Sequence, residues 1–211
     1  MRPERRDRVL YLIGRILFGI LFYTVFRLSV EGRERVPKTG GVLLVANHAS
    51  ALDPPLLGFA SPRPVHFMAK AELFEIPVLS WAISRLHAFP VRRGAADRSA
   101  VRTAIEVLQR GEVVGIFPEG TRTQTGELLP PQRGAGLIAL RAGVPVVPVA
   151  LIGTFRPLRF ERGIPRINRF IVRFGEPIDL SEHRDGESKE AVERINQRMM
   201  QEIEKLVRGE R

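Results

Sequence analysis

The sequence predicts an α/β fold: a single domain with a largely parallel mixed central sheet flanked by helices, plus an N-terminal membrane-associating helix. Three observations carry this reading. From residue 41 onward, short β-rich runs alternate with stretches of helical periodicity, the order that builds a parallel sheet with helices on its faces. Polar clusters fall at the ends of the apolar runs or beside them. The first thirty residues are unlike the rest, basic in "MRPERRDR" and then dense in aliphatic and aromatic side chains. We therefore divide the chain into an N-terminal segment, 1–30, and a globular domain, 31–211.

The N-terminal segment is amphipathic rather than a clear span. Its apolar stretch "VLYLIGRILFGILFYTVFR" is interrupted by Arg15, which leaves only Ile16 to Phe26 uninterrupted. A membrane span needs about 20 apolar residues, and an arginine at a helix centre costs roughly 2.5–3.5 kcal/mol. No small-residue cleavage site follows, so the segment does not read as a signal peptide. A helix lying in the interface is expected, its arginines reaching headgroups and each adding about 1 kcal/mol on anionic lipid. A helix packed on the protein's own core and a tilted span are the other readings.

The remaining elements follow in order. "GVLLVAN" reads as a buried strand and "PVHFMAK" as a short one, followed by "ELFEIPVLSWAISRL", helical around its proline. "AFPV" is another short strand. In "DRSAVRTAIEVLQRG", Val101, Ile105 and Leu108 recur at helical spacing, with Asp97 or Ser99 as cap and Gly111 as stop. "EVVGIF" is a strand, "GAGLIALRAG" a helix ending at Gly143, and "VPVVPVAL" a strand whose prolines suggest an edge or irregular ladder. "RFIVRFG" is a further strand. The tail "ESKEAVERINQRMMQEIEKLV" carries Val192, Ile195, Met199 and Leu206 on one face, so it closes the domain as an amphipathic helix.

Composition bounds the chemistry. The chain has 211 residues, 44% of them hydrophobic, which suits one core, and no cysteine, which excludes disulfides, thiolate zinc sites and cysteine nucleophiles. The net charge of +10 implies an anionic partner: nucleic acid, an anionic membrane surface, or a phosphorylated substrate. Lysine occurs only at Lys38, Lys70, Lys189 and Lys205. The arginine excess suits planar phosphate recognition, and genome composition explains the skew equally well.

Ligands of open α/β sheets gather beyond the carboxyl ends of strands, and four polar clusters fall there: "NHASALD", "VRRG", "FPEGTR" and "VPVVP". In the first, Asp53 directly precedes Pro54 and is placed to cap a helix while its carboxylate reaches back to His48. A carboxylate against one imidazole nitrogen fixes the tautomer and stabilises the imidazolium formed when the other nitrogen takes a proton. That makes His48 a candidate general base; taken alone, the pair also describes a hydrogen-bonded loop histidine beside a simple cap. In "EVVGIFPEGTR", Glu119, Gly120, Thr121 and Arg122 follow a strand, glycine allowing close backbone approach and Arg122 supplying a cation for phosphate. Arg92 and Arg93 end "AFPV" and offer further cations. His66, His87 and His183 lack spaced partners for a metal, and Trp81 suits packing.

Together these clusters resemble the glycerolipid acyltransferase family, especially the bacterial 1-acylglycerol-3-phosphate acyltransferases, from about residue 31 to 180, in the family's order. "NHASALD" resembles its N-H-x-x-x-x-D first motif, "AFPVRRG" its arginine-bearing second, "FPEGTR" its third and "VPVVPVAL" its fourth. The resemblance implies acyl transfer from acyl-CoA or acyl-acyl carrier protein to the sn-2 hydroxyl of lysophosphatidic acid, at the cytoplasmic face of the cell membrane. No covalent intermediate, metal or further cofactor is implied. His48 and Asp53 would be catalytic. Arg93 and Arg122 would hold the acceptor phosphate, Glu119, Gly120 and Thr121 would shape its site, and Arg92 and Lys70 would belong to the same pocket. The fourth motif would line the acyl passage.

Several positions depart from the family pattern. His87 stands where glycine is common, Arg92 where aspartate is common, and Pro131-Gln132 where a Phe-Lys pair is frequent, with Arg133 following. Two rival functions remain: the same chemistry on another acceptor, such as glycerol 3-phosphate or another lysophospholipid, and a non-catalytic membrane-binding module. No nucleic-acid partner is expected, because recognisable fingerprints and an aromatic-basic strip are absent.

Overall fold

Strands made almost wholly of Val, Leu and Ile must be covered on both faces, and the chain achieves this around one seven-stranded sheet. The computed structural model describes all residues except 1–18, 78–79, 81–82, 85–86, 92–96, 157, 162–163, 179, 181–187 and 211, and gives no side-chain environment for 159–166. The strands are β1 (Ser29–Glu31), β2 (Val42–Ala46), β3 (Val65–Lys70), β4 (Ala88–Val91), β5 (Val113–Ile116), β6 (Val146–Ile152) and β9 (Ile171–Phe174), ordered β1-β9-β6-β2-β5-β3-β4. Five of them run parallel; β9 lies antiparallel to β6, and β1 parallel to β9. The carboxyl ends of β2 to β6 and the amino ends of β1 and β9 consequently share one end of the sheet. A separate antiparallel hairpin, β7 (Leu158–Glu161) with β8 (Ile164–Ile167), leaves β6 at that same end.

The helices divide between the faces. Helix α1 (Asp53–Ala60) covers one face together with Phe22, Phe170 and Phe174, against Val42, Leu44 and Ala46 of β2. Helices α2 (Arg98–Gln109), α3 (Arg133–Ala142) and α4 (Lys189–Arg208) cover the other, against Leu43 and Val45. Asp97 caps α2 by accepting from the amides of Ser99 and Ala100, and Gly143 ends α3 in the left-handed region, both as the sequence predicts. Val192, Ile195, Met199 and Leu206 are buried along α4. The expected helix after β3 begins as a 3-10 turn, Ala71–Glu75.

One expectation is corrected. Strand β6 is neither an edge nor irregular: it lies between β2 and β9 with Val146 to Leu151 buried. Its Pro148 is tolerated because its carbonyl side faces β9, where pairing begins only at Val149 and the Pro148 oxygen accepts from the Gly175 amide. The missing N–H therefore falls at the end of that ladder, and pairing with β2 is uninterrupted. Strand β1 and the β7–β8 hairpin are additions that the sequence pattern does not announce. Phe22, ahead of residue 30, is fully buried, and β1 is an edge strand of the main sheet.

Residues 1–18 of the expected membrane-associating helix lie outside the described residues. Its described end is a π-helical turn, Leu21–Val25, that packs Phe22 on Phe59 and leads to Phe26 stacked on Phe170 at 4.1 Å. Among the described residues no helix is long and apolar enough to cross a membrane.

Candidate active site

The polar cluster at the tip of β2 sits on the central strand of the seven, flanked by β6 and β5. Asn47 continues β2 with its side chain: its Nδ2 donates to the Leu151 carbonyl at 2.9 Å and its Oδ1 accepts from the Leu151 amide at 2.7 Å. This doubled bond holds the loop that follows against β6. Asn47 is a site residue that sequence reasoning missed, although a buried apolar strand ending in an amide was signal enough.

His48 and Asp53 are brought together. Asp53 is fully buried and His48 is 4% exposed, and His48 Nδ1 lies 2.8 Å from Asp53 Oδ2. The same Oδ2 accepts from the amides of Ala49 and Ser50, each at 2.6 Å. Charge-assisted bonds of this kind compensate a carboxylate removed from water. Asp53 is the first residue of α1 rather than its cap; Leu52 holds the cap position without a side-chain bond. Proline at the start of the helix is tolerated because the first-turn amides have no intrahelical partner. The carboxylate is left to turn back into the loop.

The imidazole is held on its face as well as its edge. Phe117, just past β5, stacks on His48 with ring centroids 4.1 Å apart and planes 20° apart, and Phe67 of β3 stacks behind Phe117. Gly115 makes room for that stack: a Cβ there would come within 2.6 Å of the Phe67 ring. With Nδ1 committed to Asp53, Nε2 is the nitrogen left to exchange a proton.

The loop after β5 grips the main chain of His48 on both sides. Glu119 Oε1 accepts from the His48 amide at 2.7 Å, and the Thr123 amide donates to the His48 carbonyl at 2.9 Å. Glu119 Oε2 accepts from the Leu129 amide at 2.9 Å. Burial pushes the Glu119 carboxyl above its usual value, opposed by the two amides that hydrogen-bond it. At 2% exposure and with both oxygens engaged, Glu119 braces the loop from within.

Gly120 closes the turn with its amide on the Phe117 carbonyl and φ at +69°, and a Cβ there would meet Gln132 at 2.8 Å. Thr121 and Arg122 are exposed between the anchored residues Glu119 and Thr123. Thr123 fixes the far side, its hydroxyl accepting from the amides of Thr125 and Gly126. Arg122 is thus one residue from the amide that binds the His48 carbonyl. Gln132, where the family pattern departs, donates its amide to the Pro118 carbonyl and ties this loop to the start of α3.

Lys70 ends β3, two strands from β2, with Nζ 3.2 Å from Glu72 Oε1 at the surface. Its register partner is Val91, the last residue of β4. Arg92 and Arg93, next in sequence, lie outside the described residues, as do His183 and Trp81. His87, in place of a common glycine, adopts φ +59°, the left-handed region that favours glycine. It also stands against His66, ring centroids 4.9 Å apart, where burial and then His87 lower the His66 pKa.

Known proteins are similar to this chain in sequence and in fold. A family model described as Acyltransferase matches residues 27–152. A 1-acyl-sn-glycerol-3-phosphate acyltransferase of Bacillus subtilis is 33% identical over 180 residues, 84% of this chain and 87% of the relative. One of Streptococcus pneumoniae is 31% identical over 204 residues, 95% of this chain and 74% of the relative. The crystal structure of the 1-acyl-sn-glycerophosphate (LPA) acyltransferase PlsC from Thermotoga maritima superposes with a TM-score of 0.75 at 29% identity, covering 99% of this chain and 84% of that one.

The bracing role of Glu119 has a graded consequence. Glu119→Ala leaves two buried amides without acceptors and should lower the unfolding free energy by at least about 2 kcal/mol in urea titration. Glu119→Gln keeps one acceptor and removes a buried charge, so its loss should be smaller. An alanine variant with an unchanged midpoint and slope would contradict the brace.

Proposed function

The chain belongs to the acyltransferase family, and on that basis we propose that it moves an acyl group from a thioester, acyl-CoA or acyl-acyl carrier protein, to the sn-2 hydroxyl of 1-acylglycerol 3-phosphate. It is an O-acyltransferase, and its homologues carry the 1-acyl-sn-glycerol-3-phosphate acyltransferase name. The observation that carries the proposed mechanism is the buried contact of His48 with Asp53 at the end of the central strand.

In this scheme His48 Nε2 takes the proton of the acceptor hydroxyl as its oxygen attacks the thioester carbonyl. The C–O bond forms, the tetrahedral centre collapses, and the C–S bond breaks. The departing thiolate then takes the proton back from His48, so the imidazole ends as it began. Asp53 holds the tautomer with Nδ1 protonated and stabilises the transient imidazolium. No acyl-enzyme is formed, and no cofactor beyond the thioester donor takes part. Arg122, with Arg93, binds the acceptor phosphate; a guanidinium presents paired donors to phosphate oxygens. Thr121, Gly120 and Lys70 complete the acceptor's surroundings, and Glu119 keeps the two loops in register. The acceptor is a membrane lipid, so the enzyme works at the cytoplasmic face of the cell membrane, with residues 1–18 and the chain's positive charge favouring anionic lipid.

Thiol release from acyl-CoA should depend on added lysophosphatidic acid and exceed that seen with glycerol 3-phosphate. His48→Ala should lower this turnover by at least about a hundredfold while the chain stays folded. Near-normal turnover by the variant removes the base assignment. Arg122→Ala should raise the acceptor's Michaelis constant by roughly tenfold and leave the thioester's little changed, since a charge-assisted contact to the phosphate is lost. The reverse pattern would place Arg122 at the donor.

A further inference from the structure

The central strand β2 ends by exchanging main-chain partners for side chains on both of its edges. Within the ladders, the Leu43 amide donates to the Pro145 carbonyl on the β6 side, and the Val42 amide donates to the Glu112 carbonyl on the β5 side. Parallel pairing advances in steps of two, so odd residues of β2 bond toward β6 and even ones toward β5. Continued past Ala46, the β6 ladder would have the Leu151 amide donate to the Asn47 carbonyl and the Ala49 amide donate to the Leu151 carbonyl. The β5 ladder would have the His48 amide donate to the Pro118 carbonyl.

Side chains hold these places instead. Asn47 Oδ1 accepts from the Leu151 amide at 2.7 Å, and Asn47 Nδ2 donates to the Leu151 carbonyl at 2.9 Å. The Ala49 amide is thereby left to donate to Asp53 Oδ2 at 2.6 Å. On the other edge Glu119 Oε1 accepts from the His48 amide, while the Pro118 carbonyl accepts from the Gln132 amide. A carboxamide suits the β6 edge because it is planar and offers an acceptor beside a donor, as a peptide group does. The Leu151 amide can only donate and its carbonyl can only accept, so the two bonds fix which way the Asn47 amide is turned. Both residues are buried, which leaves water little access to replace either bond.

We propose that Asn47 is a positioning residue for acyl transfer: standing in for a peptide group as the partner of β6, its carboxamide ends that ladder, releases the Ala49 amide to Asp53, and sets the path by which His48 leaves the sheet. The inference rests on His48 acting as the base, and it names the residue that decides where the base stands. Without the carboxamide, the buried Leu151 amide and carbonyl are left to recruit the Asn47 carbonyl and the Ala49 amide, because main-chain groups out of water must find partners. The strand then runs on toward β6, Asp53 loses a donor, and the imidazole shifts from its place.

The test compares turnover of acyl-CoA with lysophosphatidic acid by the full chain and by its Asn47 variants, each checked for folding by circular dichroism. Asn47→Ala should lower kcat by at least about tenfold and leave both Michaelis constants within about twofold, since a displaced base slows the chemical step without removing a contact to either substrate. Asn47→Asp should lose as much despite its matching shape, because a carboxylate cannot donate to the Leu151 carbonyl. In a His48→Ala background, Asn47→Ala should cost no further turnover. Asn47→Ser is the milder lesion that takes the place of alanine if the alanine chain does not fold. In the unaltered protein, the side-chain amide protons of Asn47 should exchange with deuterated water far more slowly by NMR than those of the exposed Gln132. Wild-type kcat in Asn47→Asp, an effect confined to a Michaelis constant, a further loss in the His48→Ala background, or fast exchange of the Asn47 amide would each overturn the proposal and leave the base assignment standing. Near-normal turnover by His48→Ala alone would remove the base assignment, and the proposal with it.

Discussion

The hydrogen bond between His48 Nδ1 and Asp53 Oδ2 is the constraint on which the site depends, and it is fixed by the main chain around it. Three donors converge on one carboxylate oxygen: the imidazole and the amides of Ala49 and Ser50. Those donors replace water at Oδ2, while Oδ1 is buried without a hydrogen-bond partner. The pair also ties the end of β2 to the first turn of α1, so the loop has little freedom to swing the imidazole away. Phe117 and Glu119, both from the loop after β5, fix the ring's face and its backbone. His48, Asp53 and the loop after β5 are therefore tied together.

The sheet makes this possible by its strand order. Adjacent parallel strands deliver their carboxyl ends side by side, so residues distant in sequence become main-chain neighbours, as His48 and Thr123 are. The same topology brings the amino ends of β1 and β9 to this end of the sheet, together with the apolar segments that precede them.

Much of this was legible from residues alone. Buried parallel strands appear as unbroken runs such as "GVLLVA" and "EVVGIF", α2 and α4 as clear 3.6-residue periods, and the pairing of His48 with Asp53 as a polar interruption at a strand tip. What escaped has physical reasons. Strand β1 has only three residues, too few to show a period, and its partner β9 lies far along the chain. The prolines of β6 suggested an edge because a missing N–H matters only on the side where the ladder continues, which register decides and composition does not. Letters do not reveal which way a turn points its side chain; burial and two amide donors show how Glu119 holds its loop. The hairpin escaped because its strands have only 4 residues each, too few to show a period.

A double-mutant cycle on turnover most directly tests whether imidazole and carboxylate act as a unit. His48→Ala, Asp53→Asn and the combined variant should be measured with the same acyl-CoA and lysophosphatidic acid. If Asp53 acts through His48, the combined variant should be no slower than His48→Ala alone. A combined loss equal to the product of the two single losses would show the two residues acting independently and would contradict the account.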